Sequence, residues 1–286
     1  MPDFNDPRLS PPRDGRGLQM QVTASVASLR DAPVADAEMV TQALHGETVS
    51  LIREEGDFAL VQLDRDRYVG WTRMAGLSDE VTMPTHRVSA LRTYIYSKPH
   101  LKSAPHGLIS MGSRLTVTGE ENGFLRTSRG GWVTSGHAAP LDEAEDDPAA
   151  AAARFLHTPY LWGGCESLGL DCTGLTRAAF EACGVTLPRD SDMQFAWCGE
   201  AIADWTAPGA LRRNDLVFWK GHVGIMLDAA VLLHANGYHM AVAQEPLSEA
   251  IPRIAKEYGE PTGARRIDIL LERGRVPDWL ADGRNS

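Results

Sequence analysis

DCTGLTRAAFEACG (171–184), followed by DLVFW (215–219), HVGIML (222–227) and AVLLHAN (230–236), is the part of the chain whose pattern decides the fold. In the first segment Leu175, Ala178, Ala179, Ala182 and Cys183 share a helical face and Gly184 is a natural stop, so a helix is predicted from near Cys172. The other three are short apolar runs parted by Lys-Gly and Asp-Ala-Ala turns, and these predict strands. A last strand, RRIDILLE (265–272), is expected to close the sheet. Upstream, LDEAEDDPAA (141–150) reads as an acidic linker entering a helix, with Asp147 as N-cap and Pro148 at the first helical position. That helix carries the Ala tract and Phe155-Leu156 and stops before Pro159. Helices first and antiparallel strands second make an α+β domain, assigned to 148–275.

The N-terminal half has a different texture. MQVTASVASLR, ETVSLIRE, FALVQL and YVGWTRM are short strands broken by EEGD and DRDR turns, giving a first small all-β domain over 18–80. HRVSALRTYIYS, SRLTVTGE, GFLRTS and GGWVTS repeat the plan over 84–140. Both blocks end in a Gly-Trp dipeptide, Gly70-Trp71 and Gly131-Trp132, and two small β-barrels are the economical reading. Trp71 and Trp132 read as core residues. Residues 1–17, rich in Pro and Gly, read as an arm draped on a domain or partly disordered.

Composition narrows the functions open to the chain. Its 286 residues carry 38 acidic and 28 basic side chains, a net charge of −10, which disfavours nucleic acid and anionic membranes as main partners. The N-terminus has no apolar segment of the kind a secretory signal requires, and no later run approaches membrane-spanning length. Cys165, Cys172, Cys183 and Cys198 form no C-x-x-C pair, and a reducing, cytoplasmic location is expected.

A useful thiol nucleophile needs a lowered pKa and a base within hydrogen-bond reach. Cys172 stands at the predicted helix start, where unpaired N–H groups favour a thiolate. His222 opens one strand and His234 follows twelve residues later; a hairpin-like pairing would set both imidazoles on one sheet face. His222 is then the expected base and His234 its orienting partner. The other three cysteines read as packing. The segment around His234 and His239 lacks H-E-x-x-H, so no metal and no organic cofactor is expected.

PYLWGG (159–164), LDCTGL (170–175), RDSDMQ (189–194), NDLVFW (214–219), HVGI (222–225) and LLHA (232–235) together resemble the NlpC family of papain-like cysteine peptidases, which cleave peptidoglycan peptides. The resemblance implies a papain-like fold, a Cys172–His222–His234 triad, and Tyr160 as an oxyanion-stabilising group. Two positions depart from the family pattern: Thr173 replaces the usual Ser, and Asn214 the usual Gly. Thr keeps the hydroxyl and Asn tolerates turn conformations.

The two Gly-Trp blocks resemble bacterial SH3-like domains, and the whole is similar to the γ-D-glutamyl-L-diamino acid endopeptidase (dipeptidyl-peptidase VI) subgroup. In that subgroup the first SH3-like domain helps select peptides with a free N-terminal L-Ala. ALHGETV (43–49) and RYVGW (67–71) then point to Glu47 and Tyr68 as recognition residues, with Asp171 as a second carboxylate for the ammonium. Thr173 and Ser191 offer hydroxyls and Trp162 an apolar wall. Plainer readings stand beside these: Glu47 as a solvated loop carboxylate, Tyr68 as barrel packing, Asp171 as a helix cap, Arg189 as a structural ion-pair partner. The implied partners are peptidoglycan-derived peptides. An exported hydrolase of intact peptidoglycan and a non-catalytic peptide-binding module are the rival functions.

Overall fold

In a computed structural model that describes residues 4–11 and 17–281, the chain divides into two compact units. One comprises residues 5–143 with 163–168, the other residue 4, 144–162 and the residues from 169 on.

The N-terminal unit is all-β. Strands β1 (Leu18–Val22), β2 (Val26–Arg30), β3 (Met39–Leu44), β4 (Thr48–Glu55), β5 (Phe58–Leu63), β6 (Val69–Arg73) and β7 (Leu77–Ser78) form one sheet in the order β3-β2-β6-β5-β4-β1-β7. MQVTASVASLR is thus two strands, and β3 is a strand the sequence reading left unassigned. Trp71 packs with Ile52, Phe58 and Leu60, as a core residue should. Gly46, at φ +78° in the β3–β4 turn, leaves no room for a side chain: a Cβ would lie 2.0 Å from the Arg114 carbonyl oxygen. The arm is ordered where described, with Pro7–Leu9 as a short 3-10 turn and Leu9 buried; residues 1–3 and 12–16 lie outside the described residues.

Strands β8 (His86–Val88), β9 (Arg92–Tyr96), β10 (Pro105–Ser110), β11 (Arg114–Leu115), β12 (Val117–Glu121), β13 (Phe124–Thr127), β14 (Trp132–Thr134) and β15 (Ala138–Pro140) follow. They form two sheets, β10-β9-β14-β13-β12 and β11-β8-β15. Laid end to end, these reproduce the order of the first block, with β11 and β12 standing where the single long β4 stands. The break falls at Thr116, whose hydroxyl turns aside to the Met83 carbonyl (2.8 Å). Strand β16 (Cys165–Glu166) also belongs to this unit: the Cys165 amide donates to Gln42 Oε1 (2.8 Å), and Ser110 donates to Glu166 (3.0 Å). Gly163 precedes it at φ +74°, where a Cβ would come within 2.5 Å of the Met39 carbonyl oxygen.

The second unit is α+β. Helix α1 (Pro148–Ala153) starts as expected, with Asp147 accepting from the Ala149 and Ala150 amides, but it ends before Phe155. Strand β17 (Gly169–Leu170) leads into helix α2 (Cys172–Ala182), and helix α3 (Ser191–Trp197) follows. Strands β18 (Glu200–Ala201), β19 (Leu216–Trp219), β20 (His222–Met226), β21 (Val231–Asn236), β22 (Ala241–Pro246) and β23 (Gly263–Arg266) make a sheet in the order β18-β23-β19-β20-β21-β22. Helix α4 (Leu247–Tyr258) covers one face, and α5 (Ile269–Glu272) and α6 (Asp278–Ala281) end the chain.

Two expectations are corrected. RRIDILLE does not close the sheet: β23 ends at Arg266 inside it, between β18 and β19, and Asp268 caps α5. Helix α2 buries more than the apolar face read from sequence, because Thr176 and Arg177 are buried as well as Leu175 and Ala179. Asn214 does sit in the left-handed region, at φ +75°, which explains why a glycine would serve there. Its side chain adds a function that glycine lacks, accepting the Ala149 amide (2.8 Å) at the start of α1.

Candidate active site

Helix α2 begins where it does because Asp171, in extended conformation, caps it by accepting the Gly174 amide at 2.8 Å. The same carboxylate is gripped by Arg189, which is almost wholly buried, at 2.6 and 3.1 Å. The Thr173 hydroxyl donates to Asp171 (3.0 Å) and accepts from Arg189. Three residues named from sequence therefore form one closed cluster around the first turn of α2. Ser191 is buried at the start of α3, and the Thr176 hydroxyl ties that helix to α2 by donating to Gln194 (2.9 Å).

Cys172 is the first residue of α2. Burial pushes its thiol up to about 12, reinforced by the negative charge of Asp171; the Val223 amide, Arg189 and the Thr173 amide pull the other way. Desolvation thus opposes the thiolate that the position at the helix start favours. The Val223 amide of β20 bonds that sulfur, and His222 is the residue that precedes Val223 in the strand.

The histidines are brought together by sheet register. Strands β20 and β21 pair with Ile225 opposite Leu233, so one step further Gly224 lies opposite His234, and His222, two residues before, shares its face. Gly224 keeps that crossing open: a Cβ would lie 3.1 Å from the His234 Cβ and 2.7 Å from Leu232 Cδ1. His222 Nε2 stands 2.8 Å from His234 Nδ1. Burial holds His222 down to about 3, helped by neighbouring His234 and Arg253 and opposed by Glu245. Burial lowers His234 too, against the pull of Glu245. Both rings are neutral at rest.

Two residues that sequence reading passed over complete this face. His234 Nε2 lies 2.7 Å from Glu245 Oε1, and Arg253 of α4 pairs with the same oxygen. Burial works to raise Glu245, but the bonds from His234 and Arg253 prevail and hold it near about 2. The available signal was the one acidic residue of the strand AVAQEP, next to the histidine strand. Donor atoms of His234, His239 and Glu245 lie within 4.8 Å of one another, a spacing open to a metal ion. There the Arg253 guanidinium already supplies the positive charge on Glu245.

Tyr160 is joined to β17 by a bridge to Leu170, and Leu161 donates to the Leu170 carbonyl (3.1 Å). Burial raises its hydroxyl well above the usual range, with the charges of Cys172 and Asp171 acting in the same sense, so it remains an O–H donor. Trp162 is 58% exposed. Glu47 and Tyr68 belong to the N-terminal unit. Both are buried, and Glu47 is no solvated loop carboxylate: Arg65 donates to its two oxygens at 2.6 and 2.7 Å, and the Leu44 amide to Oε2 at 2.8 Å.

Comparison with known proteins bears on the family of this chain. Residues 157–255 match the NlpC/P60 family, and residues 29–77 match the bacterial dipeptidyl-peptidase Sh3 domain. The chain is 28% identical over 243 residues to the gamma-D-glutamyl-L-lysine dipeptidyl-peptidase of Bacillus subtilis (strain 168), covering 76% of this chain and 78% of that protein. The Bacillus cereus protein of the same name (strain ATCC 10987 / NRS 248) is 28% identical over 262 residues, covering 80% and 75%. A crystal structure of an NlpC/P60 family protein from Bacillus cereus ATCC 10987 shares the fold at TM-score 0.72 and 23% identity, over 87% of this chain and 99% of that one.

Proposed function

Because this chain is a cysteine peptidase of the NlpC/P60 family with an SH3-like domain before the catalytic one, we propose that it hydrolyses the γ-D-glutamyl–L-diamino acid bond of peptidoglycan-derived peptides. The observation that carries the reading is the buried, hydrogen-bonded His222–His234 pair, with the helix-starting Cys172 bonded to the amide of Val223, the residue after His222. The printed names of the two dipeptidyl-peptidases supply the substrate class. The strand order of residues 86–140 supports a second SH3-like barrel. The peptides are those beginning with free L-Ala, as in recycling within the cytoplasm.

In the reaction, the Cys172 sulfur attacks the γ-carbonyl carbon as its proton passes to His222. That transfer turns two neutral groups into an ion pair whose members stabilise each other. Tyr160, held protonated, donates to the developing oxyanion. His222 then gives its proton to the leaving amine as the C–N bond breaks. Water attacks the thioester, losing a proton to His222, and the product acid departs as the thiol is restored.

The free-amine preference draws on Glu47, Asp171 and the companion Tyr68. Arg65 pairs with Glu47 and Arg189 with Asp171, so an ammonium would share each carboxylate with its arginine. Thr173, Ser191 and Trp162 contribute polar and apolar contacts to the peptide.

The test uses wild type and Cys172→Ala with L-Ala-γ-D-Glu-diaminopimelate, its N-acetylated form, and whole sacculi. Cleavage confined to the free-amine peptide is expected. Equal cleavage of the acetylated peptide would remove the ammonium requirement, and preferential digestion of sacculi would favour the exported-hydrolase reading. In Glu47→Gln, KM for the free-amine peptide should rise with kcat little changed.

A further inference from the structure

Strands β20, β21 and β22 bring His222, His234 and Glu245 to a single sheet face. Strands β21 and β22 pair with Leu232 opposite Glu245 and His234 opposite Ala243, so Glu245 lies one diagonal step from His234. Helix α4 covers this face and adds Arg253, whose guanidinium is itself stacked 4.4 Å over the Tyr238 ring. The result is an uninterrupted run of contacts, His222 to His234 (2.8 Å), His234 to Glu245 (2.7 Å), and Glu245 to Arg253.

This run has only one consistent direction for its protons. An ionised carboxylate accepts hydrogen bonds and cannot donate them. The Glu245–His234 contact therefore requires the proton on His234 Nε2. A neutral imidazole carries one N–H, so His234 Nδ1 is bare and can only accept. The proton between the two rings must then sit on His222 Nε2, which leaves His222 Nδ1 as its free lone pair. With the opposite tautomer, His234 Nδ1–H would occupy the Nε2 lone pair of His222 and His222 Nδ1 would carry the proton, so that nitrogen could not take one from the thiol.

We propose that Glu245, held by Arg253, is a positioning residue that fixes the tautomers of His234 and His222 and so aims the basic nitrogen of His222 at Cys172. Glu245 touches no reacting atom. It acts through two imidazoles, and Arg253 keeps it charged and in place against α4. The inference rests on the peptidase reading for its kinetic test, but its spectroscopic test needs no substrate.

The experiment compares wild type, Glu245→Gln and Glu245→Ala, each labelled with ¹⁵N-histidine. In wild type the His234 and His222 signals are expected as the Nε2–H tautomers. In Glu245→Ala the Nδ1–H form of His234 should appear, and kcat on the free-amine tripeptide should fall about 10–100-fold with KM within about twofold, the size typical of lost outer-sphere support. In Glu245→Gln, whose amide can also donate, both tautomers should be present and kcat should lie between the other two. A folded Glu245→Ala enzyme with unchanged tautomers, or with wild-type kcat, would overturn the proposal. If Glu245→Ala does not fold, Glu245→Gln decides by the same two readings. Tautomers that shift as expected in an enzyme that fails to cleave the tripeptide would count against the substrate assignment and leave the tautomer lock supported.

Discussion

Two carboxylate–arginine pairs stand behind the two halves of the chemistry, and they act in opposite senses. Asp171–Arg189 sits under the nucleophile, where the Asp171 charge raises the Cys172 thiol and Arg189 offsets part of that effect. Glu245–Arg253 sits behind the base, where the Glu245 charge favours protonating His222 and His234 and Arg253 opposes it. The first pair caps α2, holds Thr173 and ties the first turn of α2 to the segment that leads into α3. The second acts on proton positions. The same pairing of residue types thus serves architecture in one place and acid–base chemistry in the other, according to which titrating group it faces.

If that contrast is right, changes at the two pairs should separate activity from stability. The largest effect is expected from removing the base itself. His222→Ala should lower kcat by about 10²–10⁴-fold, the span associated with general acid–base groups, while its urea midpoint stays near wild type. Next, Arg189→Ala should cost about 3–5 kcal/mol of folding stability, because it leaves the buried Asp171 charge without its partner. Equilibrium denaturation would measure this, and a loss confined to kcat would break the comparison. Tyr160→Phe should reduce kcat by a factor matching about 3 kcal/mol, with KM little altered, if its hydroxyl serves the oxyanion.

Smaller changes sharpen the imidazole side. Gly224→Ala crowds Leu232 and His234, so a cost of about 1–3 kcal/mol in stability and a lowered kcat are expected. The pH dependence of stability follows from the same burial. Folded His222 refuses a proton until about pH 3, whereas in the unfolded chain it protonates near the ordinary imidazole value of 6.5. The unfolded state therefore binds more protons between these limits, and stability should fall as pH drops through that window. Urea titrations at several pH values, repeated with His222→Gln, should show a shallower acid slope in the variant. An identical slope would mean that His222 is not the group responsible.

Much of the catalytic unit was legible in the sequence because its signals are local. Asp147-Pro148 announces the start of α1, Cys172 with Gly184 brackets α2, and the spacing of His222 and His234 fits one hairpin. Cap and turn chemistry operates over a few residues and needs no tertiary knowledge. What escaped depends on register and burial. Glu245 reaches His234 only because β22 pairs with β21 in one alignment, and the sequence of β22 does not declare that alignment. Arg253 looks like any helix-surface arginine until α4 is laid on the sheet. The state of the thiol shows the same limit: the helix N-terminus can be read from sequence, but the desolvation that opposes a thiolate cannot. Arg65, which takes both oxygens of Glu47, was hidden in a segment that reads as a turn.

The central claim is that Cys172 performs the cleavage with His222 as its base. The most direct measurement is the rate of diamino acid release from the free-amine tripeptide by wild type and by Cys172→Ala, each verified as folded by its thermal transition. The expected result is hydrolysis by wild type and none above background in the variant. Release of the diamino acid by folded Cys172→Ala at a rate comparable to wild type would contradict it.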